Sequence, residues 1–210
     1  MYKGFMKRFL DIFLSLLALI VLSPIFLFVS LFVLIFMGSP IFFKQKRAGK
    51  NNKPFYILKF RTMTNKKDAN GELLSDEQRR SRFGNFLRST SLDELPELIN
   101  ILKGDMSFIG PRPLYDYYFP YYTEREAKRM NVRGGLVPPD VLTGNITSSW
   151  DEQLEAEADY AENLNFLTDV KVIFATFVIL YKRVRFKYGD YARLPLSEER
   201  KSKIKSEQTV

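Results

Sequence analysis

Two adjacent carboxylates, Asp93 and Glu94, stand in the segment Ser91-Leu-Asp-Glu-Leu-Pro-Glu-Leu98, with Arg88 before them and Arg112 after them. The chain contains no cysteine and no histidine, so covalent or acid–base chemistry must use Asp, Glu, Lys, Tyr or Ser side chains. Carboxylates are an established class of covalent nucleophile, and an arginine guanidinium pairs with phosphate through two hydrogen bonds. The pattern therefore indicates a site for phosphate chemistry, at which a divalent cation, usually Mg²⁺, offsets the repulsion between carboxylate and phosphate.

A structural interpretation of the same acids is also open. Ser91 and Glu94 have the spacing of a capping box, and Asp93 is itself a favourable N-cap residue. Pro96 is tolerated in a first helical turn, so the spacing predicts a helix that begins near Asp93 and continues through the apolar positions up to 102. A helix amino terminus also attracts phosphate through its free N–H groups, which together with Arg88 favours the functional interpretation.

The composition predicts one domain with an appendage and an anionic partner. The chain has 210 residues, of which 46% are hydrophobic, and its formal charge is +8. Such a charge suits lipid headgroups, a phosphorylated substrate or nucleic acid. We expect no nucleic acid, because the basic residues are dispersed rather than clustered on one element. The absence of cysteine excludes disulfides and thiolate metal sites.

Residues 12–37 form an uncharged, apolar run that is longer than the roughly 20 residues needed to cross a bilayer. Lysine and arginine precede this run at positions 3, 7 and 8 and follow it at positions 44, 46, 47 and 50. Basic residues close to a membrane segment favour the cytoplasmic side, so both ends of the run are predicted on that side. A straight spanning helix cannot meet this requirement.

Ser23 and Pro24, near the middle of the run, offer a way to meet it. Proline removes a backbone donor and clashes with the carbonyl four residues before it, so the helix should bend or break there. The sequence therefore predicts a re-entrant membrane helix whose two arms enter and leave by the same leaflet. The alternative is an ordinary spanning helix with a proline kink, which membrane helices tolerate.

The remaining sequence predicts an α+β fold that is mainly helical. Residues 41–46 and 55–62 are predicted strands of a short β-hairpin. A polar loop follows, and then a basic helix from Asp76 to Leu87. The aromatic residues of 114–123 suit either a membrane interface or a core.

The last third of the chain is predicted to be helical and to end in a charged tail. An acidic helix is expected over 151–163. The apolar segment 166–181 is either an interfacial amphipathic helix or a core helix with a solvated end. We divide the chain into a re-entrant membrane helix (1–40), a cytosolic and interfacial catalytic domain (41–196) and a loosely ordered tail (197–210).

Two segments closely resemble the bacterial sugar transferases, and more narrowly the small monotopic polyprenyl-phosphate phosphoglycosyl transferases of the PglC type. They are Ser89-Thr-Ser-Leu-Asp-Glu-Leu-Pro-Glu-Leu98 and Leu102-Lys-Gly-Asp-Met-Ser-Phe-Ile-Gly-Pro-Arg-Pro113. The resemblance covers residues 1 to about 133 and extends to further matching motifs, namely Lys59-Phe-Arg-Thr-Met63, Gly71-Glu-Leu-Leu74, Lys7-Arg8 with Asp11, and Ser23-Pro24.

The resemblance implies a reaction between a UDP-sugar and a membrane-bound polyprenol phosphate such as undecaprenyl phosphate. Asp93 would attack the β-phosphorus, release UMP and hold the sugar phosphate as an aspartyl phosphodiester. The polyprenol phosphate would then take up the sugar phosphate and leave as polyprenol-diphosphate-sugar. This reaction would be the first membrane step of a bacterial glycoconjugate pathway. It implies membrane lipids as a further partner and a location at the cytoplasmic face of the bacterial inner membrane. The oligomeric state is left open.

The resemblance also implies roles for individual residues. Asp93 and Glu94 are the catalytic pair and the Mg²⁺ ligands, with Glu94 either binding the metal or deprotonating the incoming phosphate. The substrate-binding residues are basic: Arg88, Arg112 and Arg133, with Lys59 and Arg61 as weaker candidates, since positive strands near a membrane also suit contact with lipid headgroups alone.

The chain departs from the family pattern between residues 134 and 149. Arg133, Gly135, Gly144 and Trp150 keep their places, but Asn145 stands where a basic residue is often found. This departure bears on the sugar donor rather than on the nucleophile. It motivates a second hypothesis, in which the chain is a catalytically silent relative that serves as a membrane-bound scaffold.

Overall fold

A computed structural model describes residues 2–145, 147–186 and 193–207. The described chain is mainly helical and carries two two-stranded sheets. It divides into two compact units, the first made of Met1–Phe9, Lys46–Phe55 and Asp105–Val210, the second of Leu10–Gln45 and Tyr56–Gly104. Because these units are defined by packing and not by position relative to a membrane, the predicted division at residues 40 and 196 stays a prediction.

The helices and strands have the following bounds. The helices are α1 Lys7–Val21, α2 Ser23–Met37, α3 Asp76–Arg79, α4 Arg82–Ser89, α5 Glu97–Lys103, α6 Glu124–Ala127, α7 Trp150–Glu162, α8 Phe166–Phe186 and α9 Leu196–Glu207. The strands are β1 Phe42–Ala48, β2 Pro54–Phe60, β3 Met106–Ile109 and β4 Gly134–Val137.

The apolar run forms a bent pair of helices. No described helix has by itself the length and apolar composition to cross a membrane, but Tyr2–Val21 and Ser23–Met37 have them together and are bent by 65°. Pro24 has no N–H for the carbonyl of Ile20, and the Ser23 hydroxyl donates to that carbonyl at 2.8 Å instead. The predicted break at Ser23 and Pro24 is therefore confirmed, and Ser23 satisfies the acceptor that the proline leaves open.

Helix α1 buries polar residues and exposes apolar ones. Asp11 and Ser15 are 4% and 0% exposed. Its large apolar side chains are exposed, namely Phe9, Ile12, Phe13, Leu14, Leu16, Leu17, Ile20 and Val21. A contiguous apolar surface of this kind is unfavourable in water and is typical of a surface that meets a membrane or a partner.

The core of the second unit joins α2 to the strand and helix that follow it. Val29, Val33 and Met37 on α2 are buried together with Phe60 of β2 and Leu87 of α4. Further apolar side chains pack on this cluster, namely Phe26, Ile41, Phe42, Phe83, Leu92 and Leu95. Leu92 and Leu95 flank the two acids, so the inner face of α2 supports the segment that carries them.

The predicted hairpin is confirmed, since β1 and β2 pair with each other. Their connection includes a 3₁₀ turn over Lys50–Asn52, in which Asn51 and Asn52 adopt left-handed backbone conformations with φ of 55° and 57°. Asparagine tolerates this conformation better than most residues, which explains the Asn pair at this turn.

The prediction of one basic helix from Asp76 to Leu87 is wrong, because α3 ends at Arg79 and α4 begins at Arg82. Arg80 has an extended backbone and forms an isolated antiparallel bridge with Met63. Ser81 then starts α4 by accepting a hydrogen bond from the Gly84 N–H at 2.9 Å. The bridge to Met63 is a long-range contact, which cannot be predicted from helical periodicity.

The first unit contains a parallel pair of strands that the sequence did not predict. β3 pairs with β4 in the register Met106↔Gly134, Ser107↔Gly135 and Ile109↔Val137. Glycine allows the close backbone approach here, because a Cβ on Gly135 would lie 2.1 Å from the Gly110 nitrogen. The strands have four residues each, too few for a period-2 pattern to stand out.

Two apolar clusters stabilise the first unit. One gathers the buried residues Leu114, Tyr118, Trp150, Leu154 and Leu196, and the other gathers Ile109, Tyr160, Leu164 and Val172. Tyr118 thus belongs to the core, whereas Tyr117 and Phe119 of the same aromatic segment are exposed. The core interpretation is thus confirmed for Tyr118, and the membrane-interface interpretation stays a prediction for the exposed side chains.

Helix α8 begins at the predicted apolar segment and is buried along one side only. Val172 and Ile179 are buried, whereas most of its large apolar side chains are exposed, namely Phe166, Leu167, Ile173, Phe174, Phe177, Val178, Leu180 and Tyr181. This distribution favours the interfacial interpretation over the core interpretation.

The segment from Ser197, which the sequence predicts to be loosely ordered, lies in helix α9 up to Glu207. Leu196 is fully buried, and Arg200 pairs with Glu126 at 2.5 Å and with Asp151 at 2.8 Å. Residues 208–210 lie outside the described residues.

Candidate active site

The two acids lie in a short 3₁₀ turn, Leu92–Glu94, that connects α4 to α5. Ser91, directly before this turn, has a left-handed backbone with φ 55°, a conformation that is uncommon for a residue with a side chain and is often found at functional sites. In this described turn the Ser91 side chain makes no capping hydrogen bond. The capping-box interpretation is therefore wrong, and α5 begins at Glu97 rather than at Asp93.

Lys59 connects strand β2 to the acidic turn. Its ammonium nitrogen lies 2.5 Å from Oε1 of Glu94 and 3.2 Å from Oε1 of Glu97. Glu97 is almost completely buried, whereas Lys59 and Glu94 remain partly exposed. Such a position allows Lys59 to offset the charge of several carboxylates and still to reach a bound anion.

Asp93 is buried, and its burial raises the pKa of its carboxyl above the ordinary value. Lys59 opposes this shift most strongly among the nearby charges, and Arg88 opposes it less, while Glu94 raises the pKa further. Two cations and a second acid therefore act on the Asp93 carboxyl within the same unit. This is an arrangement typical of functional carboxylates.

Arg88 is held at the end of α4 by a contact with the chain that follows β2. Its Nε donates to Oγ1 of Thr62 at 2.9 Å. Helix α4 approaches this segment closely at Gly84, where a Cβ would lie 1.9 Å from the Thr62 carbonyl oxygen. Arg88 itself is exposed.

The Arg61 guanidinium binds backbone carbonyls of its own unit. Arg61 is buried, and its guanidinium donates to the carbonyls of Gly38 at 3.0 Å, Pro40 at 2.9 Å and Met63 at 3.3 Å. These bonds fix the chain as it leaves α2. Arg61 is a weaker substrate-binding candidate because of the motif Lys59-Phe-Arg-Thr-Met63, and the motif does not show that its side chain is buried.

Asn100 is a positioning residue that the sequence analysis missed. It is 1% exposed, and its amide accepts a hydrogen bond from the Leu58 N–H at 2.9 Å and donates one to the Tyr56 carbonyl at 2.8 Å. These bonds attach α5 to β2 beside Lys59. A lone amide within the apolar segment Leu98-Ile-Asn-Ile-Leu102 is the signal that could have identified it.

Arg112 lies in the first unit and is exposed, while its backbone is held on both sides. Its N–H donates to Oε1 of Glu157 at 2.9 Å, and its carbonyl accepts from Arg129 at 2.5 Å. Arg129 and Glu157 are 2% and 0% exposed and pair with each other at 2.6 Å. Neither was identified from the sequence, because only the fold brings them together.

Arg133, also in the first unit, is half-buried and directly precedes β4. A Cβ at Gly110 would lie 2.4 Å from its carbonyl oxygen, so its backbone adjoins the Gly-Pro-Arg-Pro segment. In the divergent segment, the Asn145 side chain donates to Oε1 of Glu152 at 3.1 Å. Ile146 lies outside the described residues.

The acids near Lys59 fit one mode of magnesium binding. Within residues 2–145, 147–186 and 193–207, no group of three or more acidic side chains is arranged to hold a metal ion alone. Mg²⁺ in phosphate-handling sites is usually bound by one or two carboxylates together with substrate phosphates. Asp93 and Glu94 provide two adjacent carboxylates, so their donor set fits this shared mode.

Comparison with known proteins identifies the relatives of the chain. The model of the bacterial sugar transferase family matches residues 2–183. The chain is 42% identical over 171 residues to an uncharacterized sugar transferase, EpsL, of Bacillus subtilis, in a match that covers 81% of this chain and 85% of the relative.

Two further relatives have names that state an activity. One is a UDP-glucose:undecaprenyl-phosphate glucose-1-phosphate transferase of Caulobacter vibrioides, 32% identical over 180 residues that cover 81% of this chain and 67% of the relative. The other is a UDP-N-acetylgalactosamine-undecaprenyl-phosphate N-acetylgalactosaminephosphotransferase of Aeromonas hydrophila, 33% identical over 184 residues that cover 82% of this chain and 43% of the relative.

Proposed function

Because the chain belongs to the bacterial sugar transferase family, we propose that it transfers a sugar 1-phosphate from a UDP-sugar to undecaprenyl phosphate. The products are UMP and a polyprenol-diphosphate-sugar. The names of the relatives from Aeromonas hydrophila and Caulobacter vibrioides, which state an activity, support this reaction class. The observation that carries the proposal is the buried Asp93 in a turn where Lys59 and Arg88 act on its carboxyl.

Asp93 is the nucleophile in this proposal. One carboxylate oxygen bonds to the β-phosphorus, and the bond from that phosphorus to the bridging oxygen breaks, so that UMP leaves with the bridging oxygen. An oxygen of undecaprenyl phosphate then bonds to the same phosphorus, and the bond to Asp93 breaks. Both steps replace one phosphorus–oxygen bond by another, so no redox partner is required.

The basic residues hold the phosphates in this reaction. Arg88 and Lys59 lie beside the acid turn and neutralise charge as the carboxylate approaches phosphorus. Arg112 is a further candidate, since the pair of Arg129 and Glu157 holds its backbone while its side chain stays exposed. Arg61 is not included, because backbone carbonyls occupy its guanidinium.

Mg²⁺ is the proposed cofactor, with Asp93 and Glu94 as its protein ligands. When bound, the ion would neutralise charge on the diphosphate of the donor. Glu94 also accepts a hydrogen bond from Lys59, which orients its carboxylate. Its alternative role is to take a proton from the incoming phosphate.

We also place the protein at the cytoplasmic face of the bacterial inner membrane. The 65° bend at Ser23 and Pro24 and the exposed apolar surfaces of α1 and α8 support a re-entrant helix pair with an interfacial helix. Basic residues at both ends of the apolar run favour the same side of the membrane.

Trapping of the intermediate tests this proposal. The protein, in vesicles without acceptor, is incubated with Mg²⁺ and a panel of UDP-sugars, and UMP release and the mass of the protein are measured. We expect one donor to release UMP and to leave a sugar-phosphate adduct on a peptide containing Asp93. Asp93→Asn should abolish the adduct, and chelation of the metal should suppress it.

Asp76→Asn is the matched control, because this acid is exposed and lies in the same unit. It should leave adduct formation near the wild-type level. An adduct that persists in Asp93→Asn would contradict the assigned nucleophile. If no donor releases UMP, with or without undecaprenyl phosphate, the scaffold hypothesis is favoured instead.

A further inference from the structure

An apolar groove lies between α2 and α4 in the second unit. Its volume is about 400 Å³, and five aromatic side chains line it, namely Phe28, Phe32, Phe36, Phe83 and Phe86. Ser81 and Arg82, at the start of α4, complete the lining. We call this feature the phenylalanine groove.

The two walls of the groove come from helices that contact each other. Phe28, Phe32 and Phe36 are four residues apart and form one stripe on α2. Their ring centroids approach Phe83 to 5.8 Å at Phe32 and to 5.3 Å at Phe36. Phe28 is 60% exposed and Phe86 is 51% exposed, so the groove is accessible at these two side chains.

Positive charge lies at both ends of α4. Arg82 is the first residue of the helix and lines the groove, and Arg88 lies near its end. Arg88 is six positions after Arg82, which corresponds to about 9 Å along a helix axis. Arg88 is also one of the two cations that act on Asp93. The groove therefore combines an apolar channel with one guanidinium group, that of Arg82, on the helix that leads to the acid turn.

These features fit a long apolar chain that carries an anionic phosphate. The acceptor of the proposed reaction is such a molecule, and its phosphate must reach Asp93 in the same unit. The groove belongs to the same unit as Asp93, so it is a suitable surface for the first isoprene units. The phenylalanine groove offers aromatic walls for the hydrocarbon, and Arg82 in its lining complements the charge of the phosphate.

We propose that the phenylalanine groove binds the phosphate-proximal isoprene units of the polyprenyl phosphate acceptor. Phe28, Phe32, Phe36, Phe83 and Phe86 contact the hydrocarbon, and Arg82 attracts the phosphate as it enters. This inference rests on the proposed function, since it concerns the acceptor of that reaction. It adds a binding site for the lipid chain, which neither the acid turn nor the basic residues beside it provide.

Steady-state kinetics with matched variants test the groove. The double variant Phe28→Ala/Phe86→Ala removes one exposed aromatic side chain from each wall of the groove. Leu27→Ala/Leu31→Ala is the control, because these residues are 70% and 54% exposed on α2 and do not line the groove. Each protein is assayed in phosphatidylglycerol vesicles with a long-chain polyprenyl phosphate as the acceptor.

We expect the groove variant to raise KM for the long-chain acceptor about tenfold, equivalent to about 1.4 kcal/mol of binding, without a matching rise in KM for the UDP-sugar. The control variant should resemble the wild type. An unchanged acceptor KM, or equal shifts in both double variants, would overturn the proposal. Equal rises in the donor and acceptor KM values would also contradict it.

Photocrosslinking tests occupancy without any turnover. A photoreactive phenylalanine analogue replaces Phe86, and the protein is irradiated in phosphatidylglycerol vesicles that contain polyprenyl phosphate. A crosslink to polyprenyl phosphate supports the groove, and a crosslink to phosphatidylglycerol alone overturns it. Because this measurement needs no donor, failure of the groove and failure of the proposed reaction are distinguishable.

Discussion

The Asp93 carboxyl illustrates a conflict between chemistry and folding at a single residue. Its burial raises its pKa, and Lys59 and Arg88 only partly offset this effect. A folded-state pKa above the unfolded value means that the fold favours the protonated acid. The ionised form, which the proposed reaction needs, therefore lowers the stability of the protein at neutral pH.

This linkage predicts that Asp93→Asn stabilises the protein while abolishing the adduct. Relative to Asp93→Asn, the wild type is most stable below the ordinary aspartate pKa of about 3.9. Its relative stability then falls as the pH rises through the raised pKa of Asp93. At pH 7 in EDTA, Asp93→Asn should therefore melt at a higher temperature, and its advantage should shrink in acid. Melting curves at several pH values check this. A wild type that is the more stable protein at pH 7 would refute the prediction.

A second residue-scale prediction concerns Arg129 and Glu157. Removing one partner of a buried ion pair leaves the other charge uncompensated, so Glu157→Gln should lower the free energy of unfolding by about 3–5 kcal/mol. The apolar swap Arg129→Met/Glu157→Leu should recover only part of this loss, because it leaves no buried charge but removes the hydrogen bonds to the Arg112 N–H and carbonyl. Denaturant unfolding in the same detergent measures the free energy of unfolding of both variants.

Glu155→Gln is the control for this pair, since Glu155 is exposed where it meets Arg125. Its effect on the unfolding free energy should be much smaller. If Glu157→Gln and Glu155→Gln lower the free energy of unfolding by equally small amounts, the buried pair does not stabilise the first unit as its burial and hydrogen bonds indicate.

At this scale the sequence identifies reactive groups better than supporting ones. The acids at 93 and 94 and the cations at 59 and 88 could be chosen from motif and residue type, and the structure brings them into one unit. Asn100, Arg129 and Glu157 were not chosen. Their importance depends on partners that are distant in sequence and become neighbours only in the fold.

At the scale of elements, the short helix α4 contributes residues to several functional features. It supplies Arg88 at one end and a wall of the phenylalanine groove along its length, and it touches the Thr62 backbone at Gly84. Its orientation therefore affects the acid turn and the groove together.

Gly84→Ala is predicted to displace this helix. The new Cβ would lie 1.9 Å from a backbone oxygen, which cannot rotate away as a side chain can. We expect a loss of about 1–3 kcal/mol in the unfolding free energy and a slower release of UMP. Denaturant unfolding and the UMP assay measure the two effects.

Gly4→Ala is the comparison, because its Cβ would meet no atom within 4 Å. It should remain close to the wild type in both measurements. A Gly84→Ala protein with wild-type stability and rate would show that α4 can shift without consequence.

The elements also show where prediction from sequence ends. The hairpin β1–β2 and the break at Pro24 follow from local chemistry, namely turn residues and a missing donor. The division of α3 from α4 depends on the bridge of Arg80 to Met63, and the pairing of β3 with β4 depends on close approach at glycine. Both are long-range contacts, which hydrophobic periodicity does not encode.

At the scale of the whole molecule, the proposed re-entrant arrangement makes a simple prediction about sidedness. The chain has no cysteine, so Gly4→Cys and Lys50→Cys each introduce a single thiol. In inverted vesicles and in intact cells, a membrane-impermeant maleimide should label both positions from the cytoplasmic side only. The cysteine-free parent controls for unspecific labelling, and reaction of position 4 only from the outside would establish a spanning helix.

The side chains of Val29, Val33 and Met37 lie in the same cluster as Leu92 and Leu95, which flank the nucleophile. In the proposed arrangement, the depth of α2 in the lipid and the height of Asp93 above it therefore cannot vary independently. A change of bilayer thickness, or transfer into a micelle of other dimensions, then acts on the reaction centre itself. Rates obtained in different detergents would accordingly differ for a geometric reason, even with identical concentrations of both substrates.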